Sequence, residues 1–244
     1  MTKPFLRNLL ILALAATAPL APARDIYIEP DAPIVALVLG DTVRLRSHDD
    51  ARQAIMVRLL DRYATEQGIV AEPAEIAAQA EVLRLTMQAD RQRWATRLEE
   101  VDRRLRERSL SPAERKSLTS ERNVLLTLLR YGADQRPGAP PLEDRRILQP
   151  LAAGIVRQWK VDRALHRQYG GRIALQPGGP QPLDAYRRFL EERRGRGEFQ
   201  IFTPELERAF WKPYAADTEV GFLAPGSPEE ARVYAIPPWQ AGHG

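Results

Sequence analysis

The sequence predicts a mainly α protein carrying a small two- or three-stranded β element and a long antiparallel helical hairpin. Three observations carry that expectation. Apolar residues recur at helical spacing through most of residues 51–211. Capping residues, prolines and glycines divide that stretch into separate helices. A single dense β-branched run, Ile34 to Val43 (IVALVLGDTV), stands near the start.

The first 23 of the 244 residues read as an export signal. Lys3 and Arg7 form a positive start, Leu9 to Ala18 is an apolar run, and Ala21-Pro22-Ala23 supplies small residues for cleavage after Ala23. The run is shorter than the roughly 20 residues a membrane helix needs. No second apolar stretch follows, so the expected mature chain, residues 24–244, has no integral membrane segment.

Composition excludes several classes of function. The chain has 36 basic and 32 acidic residues, and removing Lys3 and Arg7 leaves 34 against 32. A balance this close does not imply a nucleic-acid or membrane partner, and no nucleic-acid partner is expected. There is no Cys, so thiol catalysis, disulfides and Cys-based zinc sites are excluded. The three histidines, His48, His166 and His243, lie too far apart for ligand spacing, and neither a metal nor a cofactor is expected. No G-x-S-x-G, H-E-x-x-H, P-loop or G-x-G-x-x-G motif occurs, and no catalytic residue is assigned.

Residues 24–32 read as an extended lead-in to Ile34–Val43, a strand that turns at Gly40-Asp41 into a short partner. Asp49 or Asp50 can cap a helix over 51–67, whose apolar face is Ile55, Met56, Leu59, Leu60 and Tyr63, with Gly68 ending it. Pro73 starts a second helix. Its stripe (Ile76, Ala80, Leu83, Met87, Trp94, Leu98, Val101, Leu105) reaches about 54 Å if the helix runs to Arg108, and Asp90 offers a place for a kink. Ser111-Pro112-Ala113-Glu114 is a capping box that opens a third helix through Leu129. Residues 84–131 therefore read as the hairpin arm, 132–142 as a linker and 215–244 as a loosely ordered, Pro- and Gly-rich tail.

Between linker and tail, 143–214 reads as a helix to Tyr169, a short strand over 172–176, a turn at Pro177–Pro180, and helices over 183–194 and 204–211. The arginines Arg187, Arg188, Arg193, Arg194 and Arg196 cluster on one helix and its exit. Arg193, Arg194 and Arg196 complement the negative end of that helix and Glu191 and Glu192 interleave with them, which accounts for the cluster better than an anion contact. Aromatic residues are the better candidates for contact. In a thin helical body some of them would line an open groove, and Tyr63, Trp94, Trp159, Phe210 and Trp211 are the candidate peptide-binding residues.

The stretch from Pro33 to Leu83 resembles the N-terminal module of SurA-type periplasmic chaperones and their parvulin relatives. IVALVLGDTV resembles their opening strand, although Leu39 stands where an Asn usually precedes the Gly. ARQAIMVRLLDRYATEQGI is similar to their long N-terminal helix; it ends at Gly68-Ile69 and leads into a Pro-started acidic helix over 72–81. The resemblance implies a core of residues 24–83 closed by a later helix and strand. Leu148 to Gln176 is placed for that role, with Arg172–Gln176 beside Ile34–Leu39. It also implies a periplasmic, non-enzymatic chaperone for unfolded or outer-membrane proteins, because a charged hairpin stands where a parvulin domain would be inserted. A dedicated envelope scaffold using the hairpin, homodimerisation through that hairpin, and a degenerate prolyl isomerase are the alternatives.

Overall fold

The computed structural model describes residues 31–131, 145–176, 179–215 and 221–241. The expected signal peptide and the whole of the expected linker lie outside these residues. The fold is mainly α, with two small antiparallel sheets. The chain divides into two compact units: one runs up to Ala71 and resumes at Gly154, and the other is Glu72–Ala153.

The first unit opens on a hairpin of β1 (Ile34–Val38) and β2 (Asp41–Arg44). Val38 pairs with Asp41, so Leu39 and Gly40 form the two-residue turn, with φ of 51° and 89°. Two positive φ values are what the twist of a tight hairpin requires, and an L-leucine pays a steric cost to adopt one. Leu39 is partly exposed. Leu39→Asn is therefore expected to raise stability by about 1 kcal/mol, read as a higher urea midpoint at unchanged slope. An unchanged or lower midpoint would mean that Leu39 packs more usefully than its exposure indicates.

Helix α1 (His48–Glu66) is capped by Ser47, whose hydroxyl accepts from the Asp50 N–H at 3.2 Å. The cap thus lies just before the two aspartates the sequence offered. Asp49 and Asp50 sit instead in the first turn, where negative charge complements the helix dipole. Ile55, Leu59, Leu60 and Tyr63 are buried along one face.

The strand that completes the first sheet is not the expected one. Phe199–Ile201 (β5) pairs antiparallel with β1, in the register Ala36↔Ile201, Leu37↔Gln200 and Val38↔Phe199. The 172–176 segment contributes β3 (Ala174–Gln176), which pairs with β4 (Gly179–Gln181). The two strands are so close in sequence that a local hairpin outcompetes a distant edge. Helix α5 (Leu183–Gly195) precedes β5, and α6 (Pro204–Trp211) follows it and runs into a 3-10 turn, Lys212–Tyr214. Together α1, α5, α6, the sheet and the later part of α4 (Arg145–Tyr169) enclose one core, which includes Ile55, Leu59, Val161, Leu165, Phe189, Leu190 and Phe210.

The second unit is built on α2 (Pro73–Leu105) and α3 (Pro112–Tyr131). Helix α2 runs unbroken through Asp90, which pairs with Arg93 one turn on; the stretch contains neither Pro nor Gly to kink it. The hairpin's first helix starts at Pro73, eleven residues before the expected arm boundary. Ser111 and Glu114 form the expected capping box, with Ser111 N–H donating to Glu114 Oε2 at 2.9 Å and Glu114 N–H to Ser111 Oγ at 3.3 Å. Val101, Leu118 and Leu125 are buried in the seam between the two helices. Arg97–Glu121 and Arg122–Asp102, each at 2.7 Å, bridge it from the sides.

The stretch expected to be loosely ordered contains two short helices, α7 (Pro228–Val233) and α8 (Pro238–Ala241). Tyr234 and Trp239 within it are buried. No described helix is long and apolar enough to cross a membrane.

Candidate functional site

The five aromatic candidates have four different fates. Tyr63 and Phe210 are core, exposed by 1% and 0%. Tyr63 packs its ring edge-on to Phe189 at 5.2 Å and donates its hydroxyl to Gln168 Oε1 at 2.9 Å. Phe210 lies against Phe199 and Trp211, at 5.4 and 5.2 Å. The anticipated thin body would have left these rings uncovered. A sheet backed by several helices is thick enough to enclose them. Trp94 belongs to the second unit, where it is half-buried against Val101, Leu118 and Leu125. Trp159 is 8% exposed and covered by Tyr234 and Trp239.

Trp211 lines an open groove, of about 580 Å³, on the first unit. One wall is α5, where Arg187, Glu191 and Arg194 recur every three to four residues and so share a helix face. The opposite wall is α6 and the 3-10 turn, which supply Glu207, Arg208, Trp211, Lys212 and Tyr214. Trp211 Nε1 donates to Glu207 Oε1 at 3.0 Å. Arg194 pairs with the same carboxylate at 2.5 Å and lies 5.9 Å from the Trp211 ring centroid. The indole is therefore fixed between a carboxylate and a guanidinium, with the remainder of its face toward the groove. Tyr214 stacks on the buried Tyr186 at 6.2 Å.

Of the groove's four cations, Arg187 and Arg194 are engaged by Glu191 and Glu207 within the site, at 2.8 and 2.5 Å. Arg208 meets only an exposed partner, Glu205 at 3.3 Å, and such a pair is worth little in water. The rim is thus net positive, while its floor offers two aromatic faces. This combination suits extended chains that carry apolar side chains near carboxylates. The described lining holds no Ser, Cys or His. Among the described residues no group of His, Asp or Glu could hold a metal ion.

The sequence singles out Trp211 as a site residue and not Tyr214, and it gives Arg194, with Arg193 and Arg196, to the helix dipole rather than to a binding face. The i, i+4, i+7 spacing of Arg187, Glu191 and Arg194 was the available signal for a common face. Another arginine of that cluster, Arg193, points inward and is 3% exposed. It bonds Glu66 at 2.7 Å and Glu198 at 3.0 Å, and its guanidinium lies 5.1 Å from the Phe189 ring. Hydrogen bonds from Arg193, and then from Arg62, hold the Glu66 carboxyl down at about 2. Comparison of the chain with family models, with curated proteins and with solved structures finds no match.

Proposed function

We propose that this chain is an exported, non-enzymatic chaperone-like protein that holds unfolded or partly folded envelope proteins by short extended segments. The observation that carries the reading is the groove between α5 and the α6 end. Its aromatic floor can bury apolar side chains at about 25 cal/mol per Å² without reading a particular sequence. Its cationic rim adds long-range attraction for acidic chains. Further support comes from the resemblance over Pro33–Leu83, which implies a module closed by a later helix and strand. Helix α5 and β5 stand in that relation to β1 here, in place of the expected α4 and β3.

The test is aggregation of a urea-denatured outer-membrane β-barrel protein diluted into buffer, followed by light scattering. The chain is expected to suppress scattering at near-stoichiometric ratios. Trp211→Ala should require about three- to tenfold more protein, the 1 kcal/mol scale of one aromatic contact, while remaining folded. No suppression at tenfold excess of the unsubstituted chain would overturn the reading. A protease-coupled assay on a proline peptide is expected to give background rates; catalysis above background would favour the isomerase alternative.

A further inference from the structure

The segment from Gly221 to Ala241 lies on the first unit in the manner of a bound peptide. Leu175 N–H donates to Gly221 C=O at 2.8 Å, Leu223 N–H donates to Ile173 C=O at 2.9 Å, and Ala174 and Phe222 form an antiparallel bridge. The segment thus adds a strand to the β3 edge that β4 leaves open. Phe222 is covered by the Arg172 guanidinium at 4.2 Å, and Asp184 fixes Arg172 through bonds of 2.9 and 3.0 Å. Gly171 makes this anchor close: a Cβ there would meet Asp184 Cβ at 2.4 Å.

Further along, two rings insert over α4. Tyr234 meets Trp159 at 6.3 Å and His166 at 5.5 Å, and Trp239 meets Trp159 edge-on at 5.2 Å. Trp239 is only 3% exposed, so the contact is fully made.

These contacts are strand addition plus aromatic anchoring, a mode in which main-chain bonds give affinity and pockets take spaced side chains. Almost none of them reads side-chain identity. Among the described residues, the one side-chain hydrogen bond from either anchoring ring to the rest of the unit is Tyr234 Oη to Pro180 C=O, a long 3.4 Å. The segment's helices have six and four residues, too short to persist by themselves, so its order derives from what it docks on.

We propose that the β3 edge and the Trp159–His166 surface form a second peptide-binding surface, filled in the resting chain by the chain's own residues 221–241. The occupant that displaces this strap is an extended polypeptide segment carrying aromatic side chains, the chemistry that the strap itself displays. The proposal rests on the chaperone reading and adds a gate to it: clients compete with the strap, so affinity is set by how firmly the strap is held.

The experiment locks the strap in the full chain. Ala174 and Phe222 are a directly opposed antiparallel pair without mutual hydrogen bonds, the closer of the two cross-strand spacings and one within disulfide reach. Because the chain has no Cys, A174C/F222C creates a single defined disulfide. The probe is a fluorescein-labelled peptide of residues 221–241, followed by anisotropy. The oxidised form is expected to bind it at least tenfold more weakly than the reduced form, although its thermal stability is equal or higher. Trp239→Ala, which loosens the strap, should bind the probe at least threefold more tightly than the unsubstituted chain. Equal binding by oxidised and reduced forms, or binding by none, overturns the strap. The α5–α6 groove is judged separately, by aggregation of the denatured outer-membrane protein and its response to Trp211→Ala.

Discussion

Arg193→Ala is expected to lower the stability of the chain by about 3 kcal/mol, the lower end of the range for breaking a buried pair. Arg193 is the one buried cation among the described residues: it is 3% exposed and held by Glu66 from α1 and Glu198 from the turn before β5. Removing it takes the shared, buried counter-charge from two partly buried carboxylates, leaving Glu66 its more exposed pair with Arg62 at 2.7 Å and Glu198 a 4.0 Å contact with Arg196. It also removes the guanidinium from the Phe189 and Tyr63 rings, 5.1 and 5.9 Å away. The cost stays at the low end because both glutamates retain some contact with water. Arg193→Met separates the contributions, since it keeps an apolar stem against the rings and discards only the charge. If urea unfolding places Arg193→Ala within 0.5 kcal/mol of the unsubstituted chain, this tie does not hold α1 to the later helices.

The same site has an acid signature of defined sign. Glu66 titrates at about 2 in the folded chain and near 4.5 otherwise. Its contribution to stability is therefore present above pH 4.5 and is lost as pH falls toward 2. In Arg193→Ala that portion of the acid dependence should shrink, because the hydrogen bond that lowers the carboxyl most is gone.

Features set by local spacing were legible in the sequence. The β1–β2 turn, α1, the α2–α3 hairpin and the Ser111 capping box each depend on residues a few positions apart. Features set by pairing at a distance were not. Residues 199–201 are too short to announce a strand, yet they close the sheet on β1, whereas 172–176 looked like a strand and found its partner next door. Pro and Gly content made residues 215–244 read as loose. Their burial depends on Trp159, some 75 to 80 positions earlier, meeting Tyr234 and Trp239. The groove was half legible for the same reason. Trp211 drew attention as an aromatic at a helix end, but that α5 turns Arg187 and Arg194 toward it follows from how α5 and α6 pack.

Asp162→Asn is expected to stabilise the chain at pH 8 by up to about 4 kcal/mol, reckoned from roughly three pKa units at 1.36 kcal/mol each. Asp162 lies on α4 and is 6% exposed. Its Oδ1 accepts from Tyr186 Oη at 2.5 Å and from Gln158 Nε2 at 2.8 Å. No ion pair compensates it among the described residues. Burial pushes its carboxyl up to about 7, against the opposing pull of those two hydrogen bonds. The same burial, with the nearby Asp162 charge, raises the Tyr186 hydroxyl well above its ordinary value, so Tyr186 remains a donor at any physiological pH. Between about pH 4 and pH 7 the folded chain thus keeps a proton that the unfolded chain has released. Stability from this group is complete below pH 4, declines as pH rises to about 7, and is level above that. Asparagine preserves the shape and can accept both hydrogen bonds through Oδ1, but carries no charge to bury. The variant should therefore match the unsubstituted chain near pH 4 and exceed it increasingly toward pH 8. Urea unfolding at pH 4, 6 and 8 reads the difference directly. A variant that is less stable at all three values, or a gap that does not widen with pH, would show that Asp162 is ionised and satisfied in the folded chain.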